Sequence, residues 1–251
     1  MTTITNKKLI YDLGMHHAKD TEFYLRKGFR VIALEANPVM AGAARQKFAN
    51  QIASGQLVIE NKALWKKNGE TISFFINSVK DDWSSVKKAW AEKGGHEAEE
   101  ISVESLTLSA LFDAYGVPHY IKCDIEGADE LFSQQLVADG RRPNFVSVEA
   151  ISPRLLKNLS AAGYNLFQLV NQALSGWVRP PNPPREGSYA EVKFNGHMSG
   201  LFGCELDPEK WIDASQAKSR YRAFKALKAK DQTLAHGWLD FHATTAAHLQ
   251  V

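Results

Sequence analysis

A short apolar run, a single glycine and a second apolar run that ends in an acid constrain this chain more than any other feature. Lys8–Leu13 (KLIYDL) reads as a strand, Gly14 follows in the turn DLGMHH, and a helix-compatible run begins near Lys19. Arg30–Leu34 reads as the next strand and ends at Glu35, with Asn37-Pro38 behind it. This is the layout of a nucleoside-binding βαβ unit, in which an acid about 20 residues past the turn holds the ribose hydroxyls. A diphosphate needs several glycines so that backbone N–H groups can close around it. Here Met15, His16, His17 and Ala18 fill the turn after Gly14. The turn therefore favours a nucleoside without phosphates, such as S-adenosylmethionine, over NAD; the competing reading is an α/β turn that binds nothing.

Strand-like and helix-like segments alternate to about residue 170. That pattern predicts an α/β fold with a mainly parallel sheet and helices on both faces. Leu57–Glu60, His119–Cys123, Phe145–Val148 and Asn165–Val170 read as further strands, and Thr71–Ile76 and Ile101–Val103 as short extra ones. Leu106–Tyr115, Asp129–Asp139 and Pro153–Ala162 read as helices. Past residue 175 the composition changes. Val178–Gly187 is proline-rich, Gly196–Gly203 (GHMSGLFG) is glycine-rich, and the run from Asp213 to Leu234 is basic and helix-like. We expect an α/β core over 1–175 and a loop-rich, helical extension over 176–251 packed on the same domain.

Lys122, Asp124, Glu126 and Asp129 follow the His119–Cys123 strand, and Glu149 ends the Phe145–Val148 strand. Ligands in open α/β sheets bind at the carboxyl ends of strands, so these groups should converge near Gly14 and Glu35. Several carboxylates and one lysine at one sheet edge are costly without a partner. Mg²⁺ or Mn²⁺ held by Asp124, Glu126 and Glu149 is one solution; a hydrogen-bonded loop with Lys122 neutralising Asp124 is the other.

Together, DLGMHHAKDTEFY, EANP, IKCDIEGADELF and FVSVEA resemble the FkbM-type methyltransferases over about Ile10 to Ala150. The resemblance implies a Rossmann-like class I fold with a seven-stranded sheet, S-adenosylmethionine as cofactor, and O-methylation of sugars or natural products. It implies that Asp12, Gly14, Met15 and His16 face the methionine end of the cofactor. Glu35 would hold the ribose, Ala36 and Asn37 would flank the adenosine, and Ala63 and Leu64 would lie near the adenine. Lys122, Asp124 and Glu126 would face the transfer site, with Asp124 also touching the cofactor. His16 and Ala18 stand where members usually carry asparagine and glycine.

For the acceptor, Trp83, Ser84 and Ser85 suit a sugar ring, or Trp83 and Trp90 simply pack one helix face. Glu149, Gln172 and Ser199 are also placed to meet a ligand, and Ser199, Phe202 and Gly196, Gly200 and Gly203 suggest a closing flap. Candidate bases are His16, His17, His119, His197, Lys122 and the carboxylates.

Composition narrows the setting. A net charge of +2 is too balanced to predict a nucleic-acid or membrane partner. No apolar run reaches 18 residues and the start lacks a secretory pattern. Two cysteines give no disulfide framework, which suggests a cytoplasmic protein. The expected partner is a small-molecule or glycan acceptor, with a homo-oligomer possible through the proline-rich segment and basic run. The alternatives are an NAD-dependent oxidoreductase and a non-catalytic binding module on a methyltransferase fold.

Overall fold

In the computed structural model, residues 4–249 are described. The chain runs β1 (Thr5–Leu13), α1 (Lys19–Arg26), β2 (Arg30–Leu34), α2 (Pro38–Lys47), α3 (Ala49–Ala53), β3 (Leu57–Glu60), β4 (Ala63–Leu64) and β5 (Thr71–Asn77). It continues with α4 (Lys88–Ala91), β6 (Ala98–Leu106), α5 (Leu108–Tyr115), β7 (Val117–Cys123), α6 (Asp129–Asp139), β8 (Phe145–Glu149), α7 (Pro153–Ala161), β9 (Leu166–Asn171), α8 (Ala214–Lys230) and β10 (Leu239–Thr244).

The main sheet has seven strands in the order β3-β2-β1-β7-β8-β10-β9. It is parallel from β3 through β8, while β10 runs antiparallel to both β8 and β9. The central strands show why the sheet must be covered twice. Every residue of β7 is buried. In β1, Leu9, Tyr11 and Leu13 enter one apolar cluster and Ile10 enters the other. Side chains alternate across a strand, so a run buried at every position needs a layer on each face.

The strand reading of the first 170 residues holds closely, with β2 and β3 at the predicted bounds. The Ile101–Val103 segment is longer than predicted: as β6 it spans nine residues and forms a second sheet in the order β4-β6-β5. Composition also suggests a boundary near residue 175 that the sheet does not respect. β10, from the far end of the chain, lies between β8 and β9.

The glycine-rich stretch is anchored in the core. Phe202 is fully buried and stacks on Tyr120 at 4.9 Å, with its edge against Tyr24 at 4.9 Å and Phe29 at 5.7 Å. A free flap hinged at Gly196, Gly200 and Gly203 would have to pull that ring out of the core, at a cost of several kcal/mol for a residue of this size. Residues 196–199 of the stretch, Gly196 to Ser199, are the part that lines the cavity described next.

Candidate active site

The residues that end the parallel strands open into one cavity of about 550 Å³. Gly14 and Met15 come from beyond β1, Leu34 and Glu35 from β2, Asp124 from β7, Glu149 from β8 and Gln172 from beyond β9. Asp240 enters from the opposite-running β10, paired in register with Glu149. Ala63 and Leu64 of β4 close one wall, and Trp83, Ser84 and Val86 cover another.

The end of the cavity beside Gly14 and Glu35 is built from backbone. Gly14 N–H and Met15 N–H both donate to Leu34 O, at 2.9 and 3.1 Å, folding the turn onto β2. Gly14 has φ +83, and a Cβ there would sit 1.8 Å from the Asp124 carbonyl oxygen. The glycine therefore serves a chain-to-chain approach between the β1 and β7 loops as well as a cavity wall. His16 (φ 50) and Ala18 (φ 56) hold the left-handed conformation that asparagine and glycine adopt more easily. The turn keeps its shape without its usual residues.

Glu35 is buried in the cavity wall, and its carboxylate accepts from two amides: His16 N–H at 2.7 Å and Asn37 N–H at 2.8 Å. Each oxygen thus takes one amide and keeps capacity for a ligand hydroxyl. Burial pushes its pKa up, against the pull of the Asn37 and His16 amides. Asn37 also caps α2 by accepting from Val39 N–H at 2.9 Å.

Two sequence expectations fail here. Asp12 is fully buried behind the turn and is not among the cavity residues; it accepts from Thr21 Oγ1 at 2.6 Å and lies 3.4 Å from Lys122 Nζ. Lys122 lines the cavity but is spoken for. Its ammonium donates to Gly14 O at 2.7 Å and faces Asp12 and, at 3.9 Å, Asp124. Burial works against its charge, but Asp12, Asp124 and Asp20 outweigh burial and raise its pKa further. Held that way, the Lys122 ammonium ties the β1 loop to β7.

The opposite end of the cavity is acidic. Asp124, Glu126 and Glu149 bring carboxylate oxygens within 4.8 Å of one another, as the sequence predicts. Glu126 is also a clasp: its Oε2 accepts from Trp90 Nε1 at 2.6 Å and Lys93 Nζ at 2.9 Å. Ser85 lies outside the cavity and contributes to the same clasp, donating from Oγ to Glu126 O at 2.6 Å; its expected ligand role gives way to that bond. Trp90 packs on Gly127, where a Cβ would come within 2.8 Å of the indole. Trp83 stands apart in a 3-10 turn with Lys80 and Lys93 over its ring, so the two tryptophans do not share a helix face.

Glu149 has a raised pKa, from burial first and then from Asp124, Glu126, Asp129 and Asp240. Lys93 at Glu126 offsets part of the crowding for which the sequence suggested Mg²⁺ or Mn²⁺, so the carboxylate cluster by itself gives no reason to invoke an ion.

Sequence reasoning missed two acids. Asp20, in the first turn of α1, accepts both contacts of Ser199 N–H at 3.0 and 2.9 Å, and burial raises its pKa. Asp240 accepts from Gln172 Nε2 at 2.6 Å, and its pKa is raised by burial and by Asp124. Gln172 Nε2 also donates to Ser199 O at 3.2 Å, leaving its Oε1 buried without a partner.

Fold and cavity together define a Rossmann-like α/β protein with a buried, amide-held acid at the end of β2 and a cluster of acids across the cavity. The family model for the FkbM methyltransferase domain matches residues 12–166. The chain belongs to the FkbM methyltransferase family, and membership implies use of S-adenosylmethionine. Among solved structures it is similar to precorrin-6y C5,15-methyltransferase from Geobacter metallireducens GS-15, with 12% identity over 97% of this chain and 82% of that one, at a TM-score of 0.41. A likeness that loose carries no argument about the site. Comparison with curated proteins gave no match.

Proposed function

We propose that this protein transfers a methyl group from S-adenosylmethionine to a hydroxyl of a polyhydroxylated small molecule, a sugar or a glycosylated compound. The carrying observation is that Glu35 and the Glu149–Asp240 pair line one cavity from opposite sides. S-adenosylmethionine supplies an electrophilic methyl on a sulfonium. Glu35 is placed to accept the ribose hydroxyls, with Asn37, Ala36 and Met15 around the nucleoside and Ala63 and Leu64 against the adenine.

Beyond them, Asp124, Glu149, Gln172 and Ser199 offer hydrogen-bonding groups at the far end, with Trp83 and Ser84 alongside. Carboxylates with upward-shifted pKa values are stronger bases once ionised, and positive charge in the cavity favours their ionised form. We assign Glu149 as the group that removes the hydroxyl proton, because it sits at the end of β8 among the other acids. Lys122 holds the β1 and β7 loops in register, and Glu126 holds the covering segment.

The test is direct. S-adenosylhomocysteine should raise the melting temperature, as any native-state ligand does, and Glu35→Gln should shrink that rise. Labelled methyl should then pass from S-adenosylmethionine to a polyol acceptor. Absence of nucleoside binding at millimolar concentration overturns the reading.

A further inference from the structure

A second cluster stands at the mouth of the same cavity, built from three segments far apart in sequence. His16 and His17 follow β1, Asp81 opens the 3-10 turn after β5, and His197 comes from the glycine-rich stretch. His16 Nε2 lies 3.1 Å from Asp81 Oδ1 and His17 Nε2 lies 3.3 Å from Asp81 Oδ2. The two imidazoles are 4.0 Å apart, and the His197 ring sits 6.1 Å from one and 5.7 Å from the other.

Hydrogen bonding does not account for this arrangement. His16 Nε2 is buried and makes no hydrogen bond, despite its distance from the carboxylate. The distances suit a cation. Bonds of about 2.0–2.1 Å at a tetrahedral centre place neighbouring donors about 3.3 Å apart. The donor atoms of His16, His17 and Asp81 all fall within 4.8 Å of one another. His16 also holds a left-handed backbone (φ 50), which an asparagine or glycine would adopt at lower cost.

We propose that His16, His17 and Asp81 form a binding site for Zn²⁺ or a transition metal of like preference, with His197 or water in the fourth position. Imidazole and carboxylate donors select such ions over Mg²⁺, which prefers an all-oxygen shell. The ion would join the turn after β1 to the 3-10 turn after β5. This site is separate from the Asp124–Glu126–Glu149 cluster and does not depend on the methyltransferase reading.

The full chain, stripped with EDTA and dialysed, is titrated with Zn²⁺ by calorimetry and with Co²⁺ by absorption spectroscopy. One site per chain with micromolar or tighter affinity is expected, with the visible bands of tetrahedral Co²⁺. His17→Ala and Asp81→Asn should each weaken binding by at least the roughly 10–100-fold that loss of an outer-shell partner costs. If Asp81→Asn folds poorly by circular dichroism, His17→Ala decides the matter, because His17 is half exposed. Equal affinity in wild type and His17→Ala, no binding at 100 µM, or an anomalous zinc peak only at Asp124 and Glu149 overturns the proposal. S-adenosylhomocysteine binding, measured on the same EDTA-treated protein, reports separately on the methyl-donor reading.

Discussion

The two ends of the cavity are made differently. At the nucleoside end, backbone amides and close main-chain contacts do the work: Gly14 against Asp124, and Glu35 gripped by the amides of His16 and Asn37. At the acceptor end, side chains from six segments converge, and their charges interact more than their backbones do. A site framed by main chain tolerates little change in shape, whereas one framed by acids tolerates shape change but not charge change. The contrast predicts that damage at the first end appears as lost structure or lost cofactor, and damage at the second as lost turnover.

The largest expected effect is on chemistry. Glu149→Gln should lower kcat by about 10²–10⁴, the usual contribution of general acid–base catalysis, while S-adenosylhomocysteine affinity stays within about threefold; equal loss of both would erase the distinction between the two ends. Next comes Gly14→Ala. Its Cβ would overlap the Asp124 carbonyl, in a left-handed backbone, so a loss of about 3 kcal/mol or more is expected by urea unfolding. A stable Gly14→Ala protein would show that the β1 and β7 loops are free to part.

Glu35→Gln keeps one amide acceptor and the side-chain shape, so the fold should survive. Nucleoside affinity should fall about tenfold, roughly 1.4 kcal/mol, read by thermal shift or calorimetry. Last is His242, on β10. It is buried with Nε2 unpartnered, and burial lowers its pKa to about 3. Between that value and 6.5 the unfolded chain binds a proton that the folded chain refuses, so stability falls as pH drops below 6.5. At pH 5 the loss is about 2 kcal/mol; His242→Leu should remove that acid dependence and change little at pH 7.

Much of the nucleoside end can be read from the chain because its parts are local. Asp12 through Asn37 form one strand–turn–helix–strand unit, and Asp124 and Glu149 sit directly after strands. Local context also misleads. Asp12 has the position of a ligand residue, yet its partner Lys122 comes from another strand and draws it into the core. Asp20 looks like an ordinary acid in the first turn of a helix, and only its burial against Ser199 sets it apart. Asp240 was missed because LDFHAT carries an acid and a histidine in a strand buried at every position, and its pairing with β8 and β9 is wholly non-local. The His16–His17–Asp81 cluster was illegible for the same reason: the turn after β5 reaches it across the second sheet.

The late arrival of β10 has a consequence for synthesis. A growing chain can pair β3, β2, β1, β7 and β8 as they leave the ribosome, but β9, bridged only at Phe167 to Ile212, has no strand partner in the main sheet until Leu239–Thr244 appears. Until then the edges of β8 and β9 stand open to foreign strands. Interrupted translation in this stretch would yield a protein that holds its nucleoside wall but lacks the strand carrying Asp240, and that sticks to its own kind.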